Sequence, residues 1–238
     1  MEDRVDFSRR HVRRFRNEPA AEQALVQAFF GDRPGFYVDV GANDPVLDSQ
    51  SWHLEQRGWT GLLVEPDPDC AQRLREQRTG TVIERACSSA ANAGQMLLLH
   101  RAGPHSTVEA QPIARGTAIP RESVAVRCDT LDHILAEHGV RPGFDLLSVD
   151  IEGHELVALS GFDFARWQPR LVLLEDHVIH LAKHRLMQSQ GYRLVLRTGL
   201  NSWYMPQSQA FSHSLAARLE FLRKYFLGLP LRKLRYAR

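Results

Sequence analysis

The stretch Phe36-Tyr-Val-Asp-Val-Gly-Ala-Asn-Asp-Pro45 limits what this chain can fold into more than any other part of it. Five residues of strand character, 36–40, run straight into Gly41, and an amphipathic run opens at Val46. A short apolar run with β-branched and aromatic residues, closed by glycine, reads as a buried strand of a parallel sheet. The glycine lets the backbone turn sharply and approach a ligand, and the helix that follows aims its free N–H groups there. Asp39 then falls near the carboxyl end of the strand, where open α/β sheets bind ligands. The stretch Gly61-Leu-Leu-Val-Glu65 ends a second strand in an acid, 24 residues after Gly41. That spacing suits a carboxylate accepting hydrogen bonds from ribose hydroxyls. The pair reads as a nucleoside-binding βαβ unit.

The rest of the chain repeats the alternation. Leu25, Ala28 and Phe29 predict a helix over 19–30, stopped by Gly31. Further helices are expected over 46–57, from Pro66 and Pro68 onward, over 129–135 with Asp129 as N-cap, after 151–155, and over 180–190. Strands are expected at 81–86, 144–150 and 170–175, with a closing pair at 192–197 and 202–205. Residues 95–100 and 123–127 form a β-excursion around a Gly/Pro-rich loop, 103–120, long enough to serve as a substrate lid. This pattern predicts an α/β fold: a Rossmann-like, doubly wound, mostly parallel sheet with an antiparallel edge pair. The expected organisation is a basic N-terminal arm (1–19), one catalytic domain (20–206) and an amphipathic, basic C-terminal helix and tail (207–238).

Composition narrows the partners. A net charge of +2 argues against a dedicated nucleic-acid binder, although Arg4, Arg9, Arg10, Arg13, Arg14 and Arg16 crowd the N-terminus. Cys70, Cys87 and Cys128 are odd in number and widely spaced, fitting neither a metal knuckle nor a disulfide framework, so a reducing cytoplasm is expected. Neither an apolar leader core nor a run of 18 apolar residues occurs, so secretion and membrane spanning are not expected. Leu215, Leu219, Leu222 and Phe226 fall on one helical stripe beside Arg218, Arg223 and Lys224, and Arg232, Lys233, Arg235 and Arg238 follow. The expectation is that this stripe packs on protein, its own chain or a homodimer partner, rather than on an anionic membrane.

Two strand ends carry groups able to hold a metal. Asp150 and Glu152 follow one strand, and Glu175, Asp176 and His177 follow the next. Carboxylates with one imidazole suit Mg²⁺ or Mn²⁺ better than Zn²⁺. The plainer alternative makes Asp150 or Asp176 a helix cap and puts Glu152 and Glu155 in a helix's first turn. His53, His133, His138, His154 and His184 are scattered, and each alone reads as a surface or packed histidine. Trp203 and Tyr204 read as packing residues with a stacking platform as the alternative, and Lys183 and Arg185 as solvated helix charges with phosphate binding as theirs.

The runs 36–45, 58–66, 128–132, 145–155 and 171–175 resemble the FkbM-type methyltransferase family, most specifically at Asp150-x-Glu152-Gly153-x-Glu155. The resemblance spans about residues 22 to 206 and implies a class I methyltransferase-like fold. It implies S-adenosylmethionine as cofactor and a hydroxyl of a sugar, nucleotide sugar or natural product as methyl acceptor. By position, Asp39, Gly41 and Asn43 would hold the methionine end, Glu65 the ribose hydroxyls, and Asp150 and Glu152 would face the reacting centre. In such a methyl transfer Asp150 or His177 could serve as the base, and the two strand ends would supply Asp150, Glu152, Asp176 and His177 to a divalent ion. Two features depart from the family pattern. Pro45 stands where many members have Gly, and Ala86-Cys-Ser-Ser89 follows strand three without an acid or amide for adenine. A second reading keeps the fold and drops the methyl donor: a metal-dependent, flavin-free nucleotide-sugar mutase interconverting pyranose and furanose rings. A third is a non-catalytic binding protein using the Arg-rich ends.

Overall fold

The structure is a computed structural model, and it describes residues 19–109, 122–178, 180–211, 219 and 222–231. The Arg-rich arm, most of the 103–120 loop, Leu215, Arg218 and the basic tail lie outside the described residues. In chain order the elements are α1 (Pro19–Phe30), β1 (Phe36–Val40), α2 (Trp52–Glu55), β2 (Thr60–Val64), α3 (Pro68–Gln77), β3 (Thr81–Ile83), β4 (Ala86–Cys87), β5 (Met96–Arg101), β6 (Glu122–Asp129), α4 (Leu131–Glu137), β7 (Leu146–Val149), α5 (Glu155–Leu159), α6 (Phe164–Trp167), β8 (Leu171–Glu175), α7 (Ala182–Ser189), β9 (Tyr192–Thr198) and β10 (Asn201–Pro206). The main sheet has seven strands in the order β3-β2-β1-β7-β8-β10-β9, mostly parallel with an antiparallel edge, as expected. A second sheet has the order β4-β6-β5. The chain divides into two compact units, Pro34–Arg170, and Met1–Arg33 with Leu171–Arg238.

In the unit Pro34–Arg170, β1 lies between β2 and β7 and is parallel to both, with Asp39 opposite Leu63 on one side and Ser148 on the other. Tyr37, Val38, Leu63, Val64, Leu146 and Leu147 are buried, as both faces of a covered parallel sheet require. Strand order reverses between β1 and β7, the switch point where such sheets open a ligand crevice. Strand three is shorter than expected: Arg85 N–H turns back to the Ile83 carbonyl, and Ala86–Cys87 leaves to pair with Cys128–Asp129 in the small sheet. There β5 and β6 form the expected antiparallel excursion over a core of Ala86, Leu99, Val126 and Cys128.

Two helix expectations need correction. The helix expected over 46–57 is reduced to Trp52–Glu55. Asp44 Oδ1 takes the N–H groups of Val46 (2.9 Å) and Leu47 (2.8 Å), and Asp48 sits at φ 55°. Side-chain bonds of this kind compete with the helix for the same donors. The cap of α4 is Thr130, whose hydroxyl accepts from His133 N–H at 3.1 Å, and not Asp129. Asp129 instead ends β6 and pairs with Arg85 (3.4 Å) and His133 Nδ1 (2.7 Å).

In the other unit, β10 pairs antiparallel with β8 and β9. Trp203 and Tyr204 are fully buried, as packing residues should be, and Trp203 Nε1 donates to Thr198 Oγ1 at 2.7 Å. Glu22 of α1 accepts from Thr198 and, at 2.8 Å, from Asn201 Nδ2, fastening the helix to the hairpin turn. Lys183 is a buried residue whose Nζ donates to the Glu175 carbonyl at 2.8 Å, not a solvated charge. Of the C-terminal stripe, Leu219, Leu222 and Phe226 are about half exposed, and 222–227 form a wide π-helical turn. No described helix is long and apolar enough to cross a membrane.

Candidate active site

A cavity opens at the carboxyl ends of β1, β2 and β7 within the unit Pro34–Arg170, with residues 103–108 as a further wall. Its floor depends on Gly41. That residue has φ 88°, its N–H reaches the Val64 carbonyl at 2.9 Å, and a Cβ there would stand 1.8 Å from the Asp150 carbonyl oxygen. The sharp turn is as expected; the close approach is to the backbone following β7.

Asp39 and Glu65 both line the cavity, and both are buried. Burial raises the Asp39 pKa against the opposing pull of its Ser51 hydrogen bond (2.5 Å) and the Arg78 charge. Glu65 accepts from Asn43 N–H and Asp67 N–H, both at 2.8 Å, and burial still pushes its pKa up to about 7. The Asn43 backbone that meets it stands in the left-handed region, at φ 47°.

Asp150 and Glu152 line the same cavity, so neither is spent on capping α5. The closing acid is Glu155, fully buried, whose Oε1 accepts from Gly153 N–H at 2.9 Å and Ile151 N–H at 3.3 Å. The turn between them holds Glu152 at φ 51° and Gly153 at φ 104°. The segment after β5 fastens onto this turn. His105 Nδ1 lies 2.9 Å from Glu152 Oε1, Thr107 Oγ1 donates to the Glu152 carbonyl at 3.0 Å, and Glu109 Oε1 lies 2.6 Å from His154 Nδ1.

His154, read from the sequence as a surface or packed histidine, is buried and lines the cavity. Its Nε2 lies 2.8 Å from Ser88 Oγ, which also accepts from Asn92 Nδ2 at 2.8 Å. A serine, a histidine and a glutamate in line suggest nucleophilic catalysis. Ser88 is completely buried, however, so its hydroxyl meets no substrate and the array is a brace. The partners are 45 and 66 residues from His154, and only its place inside the Asp150–Glu155 motif hinted at a role.

The cavity wall is strongly acidic. Asp39, Asp44, Asp48, Glu65, Asp67, Asp150 and Glu152 line it; Asp67 is paired with Arg101 at 2.8 Å, and the one lining guanidinium, Arg85, is itself paired with Asp129 and Glu137. The remaining expected metal ligands belong to the other unit. There Asp176 is buried and accepts from Val178 N–H at 2.8 Å, and His177 Nε2 lies 3.2 Å from Glu175 Oε1.

The family model described as the Methyltransferase FkbM domain matches residues 39–194, which takes in every residue that lines the cavity. The chain belongs to the FkbM methyltransferase family. No curated protein sequence matches it. Among solved structures, the FkbM methyltransferase of Methylobacillus flagellatus KT is similar at 13% identity and a TM-score of 0.44, over 82% of this chain and 57% of that one. A methyltransferase of Geobacter sulfurreducens is similar at 11% identity and a TM-score of 0.41, over 78% of this chain and 76% of that one. The chain therefore spans little more than half the length of the Methylobacillus FkbM protein.

Proposed function

We propose that this FkbM protein transfers a methyl group from S-adenosylmethionine to a hydroxyl of a sugar, nucleotide sugar or natural product. The observation that carries this reading is the acidity of the cavity: seven acidic residues line it, of which Asp67 is paired with Arg101, and the one lining guanidinium, Arg85, is itself already paired. Such a wall attracts a ligand bearing an ammonium and a sulfonium, and it repels a diphosphate unless a metal intervenes. Bound, the cofactor supplies a methyl carbon made electrophilic by the positive sulfur. Glu65, each oxygen of which keeps a lone pair beyond its backbone bond, would accept from the ribose hydroxyls. Asp39, Gly41 and Asn43 form the turn that would receive the methionine end. Asp150 is the proposed base, taking the acceptor's proton as its oxygen gains the methyl group; His177 is the alternative base.

Asp150 and Glu152 are also oxygen donors of the kind Mg²⁺ or Mn²⁺ take, and an ion there would make the acceptor hydroxyl more acidic. The same ion is what the competing mutase reading needs, because it would offset part of the local negative charge and itself coordinate a diphosphate.

Calorimetry of the full chain against S-adenosylmethionine, GDP and UDP, each with and without Mn²⁺, separates these readings. Methyl transfer predicts saturable binding of S-adenosylmethionine without metal and none of the nucleoside diphosphates. Binding of GDP or UDP with Mn²⁺, and none of the adenosyl ligand, would replace the proposal with the mutase.

A further inference from the structure

Between Gly41 and α2 the chain runs through a segment with no regular structure, of which Leu47, Asp48, Ser49 and Gln50 line the cavity. Its shape is set from outside. Arg78, from the connection after α3, has a fully buried side chain. Its Nη1 donates to the Pro45 carbonyl at 3.1 Å and Ser49 Oγ at 3.2 Å, and its Nη2 to Ser51 Oγ at 2.9 Å and Glu55 Oε1 at 2.9 Å. The guanidinium also lies 5.5 Å from the centre of the Trp52 ring. Four acceptors spread over residues 45–55 are thus gathered by one planar group, a task suited to arginine's fixed fork of donors. Ser51 passes the restraint on, since its hydroxyl donates to Asp39 Oδ2 at 2.5 Å.

We infer that Arg78 is a positioning residue for the ligand pocket: it holds the 45–52 segment in its binding shape and, through Ser51, fixes the Asp39 carboxylate. This rests on the reading of the cavity as the cofactor site. Charge supports it. The guanidinium faces two buried carboxylates, Glu55 directly and Asp39 through the serine, so the loop is anchored where the chain would otherwise bury like charges together. Backbone supports it too. Pro45 stiffens the segment, and its carbonyl is one of the atoms that Arg78 grips. A loop whose groups are already paired has little left to order when a ligand arrives, and that favours affinity.

The test uses two variants of the full chain, Arg78→Lys and the milder Ser51→Ala, in case a single ammonium leaves the buried acids too poorly paired to fold. Hydrogen exchange of the amides at 46–52 needs no ligand, and calorimetry with S-adenosylhomocysteine reads the pocket. The inference expects faster exchange at 46–52 in both variants, unchanged exchange in β1 and β2, and affinity about tenfold lower for Arg78→Lys. A folded Arg78→Lys with native exchange at 46–52 would overturn it, as would faster loop exchange with undiminished affinity. If the unmodified protein binds no adenosyl ligand, the methyl-transfer proposal falls, and the exchange measurement alone decides whether Arg78 fixes the loop.

Discussion

Replacing Gly41 with alanine asks the Asp150 carbonyl to yield to a Cβ 1.8 Å away, at a φ of 88° that alanine resists. Both partners are backbone just past the ends of adjacent parallel strands, tied there by Gly41 N–H to the Val64 carbonyl and Asp150 N–H to the Val40 carbonyl, so neither retreats cheaply. Gly41→Ala should lose more than about 3 kcal/mol of stability, read by urea unfolding. Glu65 invites a subtler experiment. Glu65→Ala should weaken adenosyl-ligand binding by about 1–3 kcal/mol, and unchanged affinity would remove the residue from the site. Its raised pKa, about 7, sets a pH dependence as well. As pH falls through 7 the carboxyl takes a proton, the wall loses a negative charge, and affinity for cationic S-adenosylmethionine should fall. Stability moves the other way. A carboxyl with a folded pKa above its unfolded value favours the folded state at low pH, and that contribution is lost as pH rises from about 4.5 to about 7.

Elements were legible where one physical rule dominated. The buried strands at 36–40, 171–175 and 192–198, and helix α1, stand where periodicity and apolar runs put them, because main-sheet burial leaves those patterns few alternatives. Legibility failed where side chains rewrote the backbone locally. Asp44 took two donors from the expected helix at 46–57, and Thr130 outcompeted Asp129 for the cap of α4. The site divides in the same way. Asp39, Gly41, Glu65, Asp150 and Glu152 announced themselves by their place at strand ends, whereas Arg78, Ser88 and Glu109 act through partners distant in sequence that no local pattern reveals. The cap assignment has its own check: Thr130→Ala should cost about 1 kcal/mol in thermal or urea unfolding, the usual loss for such a cap. An Asp129→Asn variant that loses stability while Thr130→Ala loses none would restore the original assignment.

Charge is what the whole molecule adds. Net charge is only +2, yet one cavity collects seven carboxylates, so the field felt by a ligand is decided locally and not by the chain's sum. If that field selects the cofactor, S-adenosylmethionine should bind more tightly than S-adenosylhomocysteine, which lacks the sulfonium charge. The ratio should shrink as salt rises from 0.05 to about 0.5 M, where the screening length falls below roughly 5 Å. Equal affinities at low salt would count against electrostatic selection. The small sheet has a different consequence. The chain leaves the main sheet after Ile83 and pairs Ala86–Cys87 with Cys128–Asp129, while Ser88 N–H closes on the Asp129 carbonyl at 2.9 Å. The described residues between those clasped ends, 88–109 and 122–127, include the wall at 103–108 and form a cassette. Because closing a longer loop adds only about 0.6 kcal/mol per doubling of its length, lineages can trade this cassette for others at little cost. If the methyl-transfer proposal holds, a change in that segment would alter the wall at 103–108 while leaving Asp39, Gly41 and Glu65 at the ends of β1 and β2 untouched.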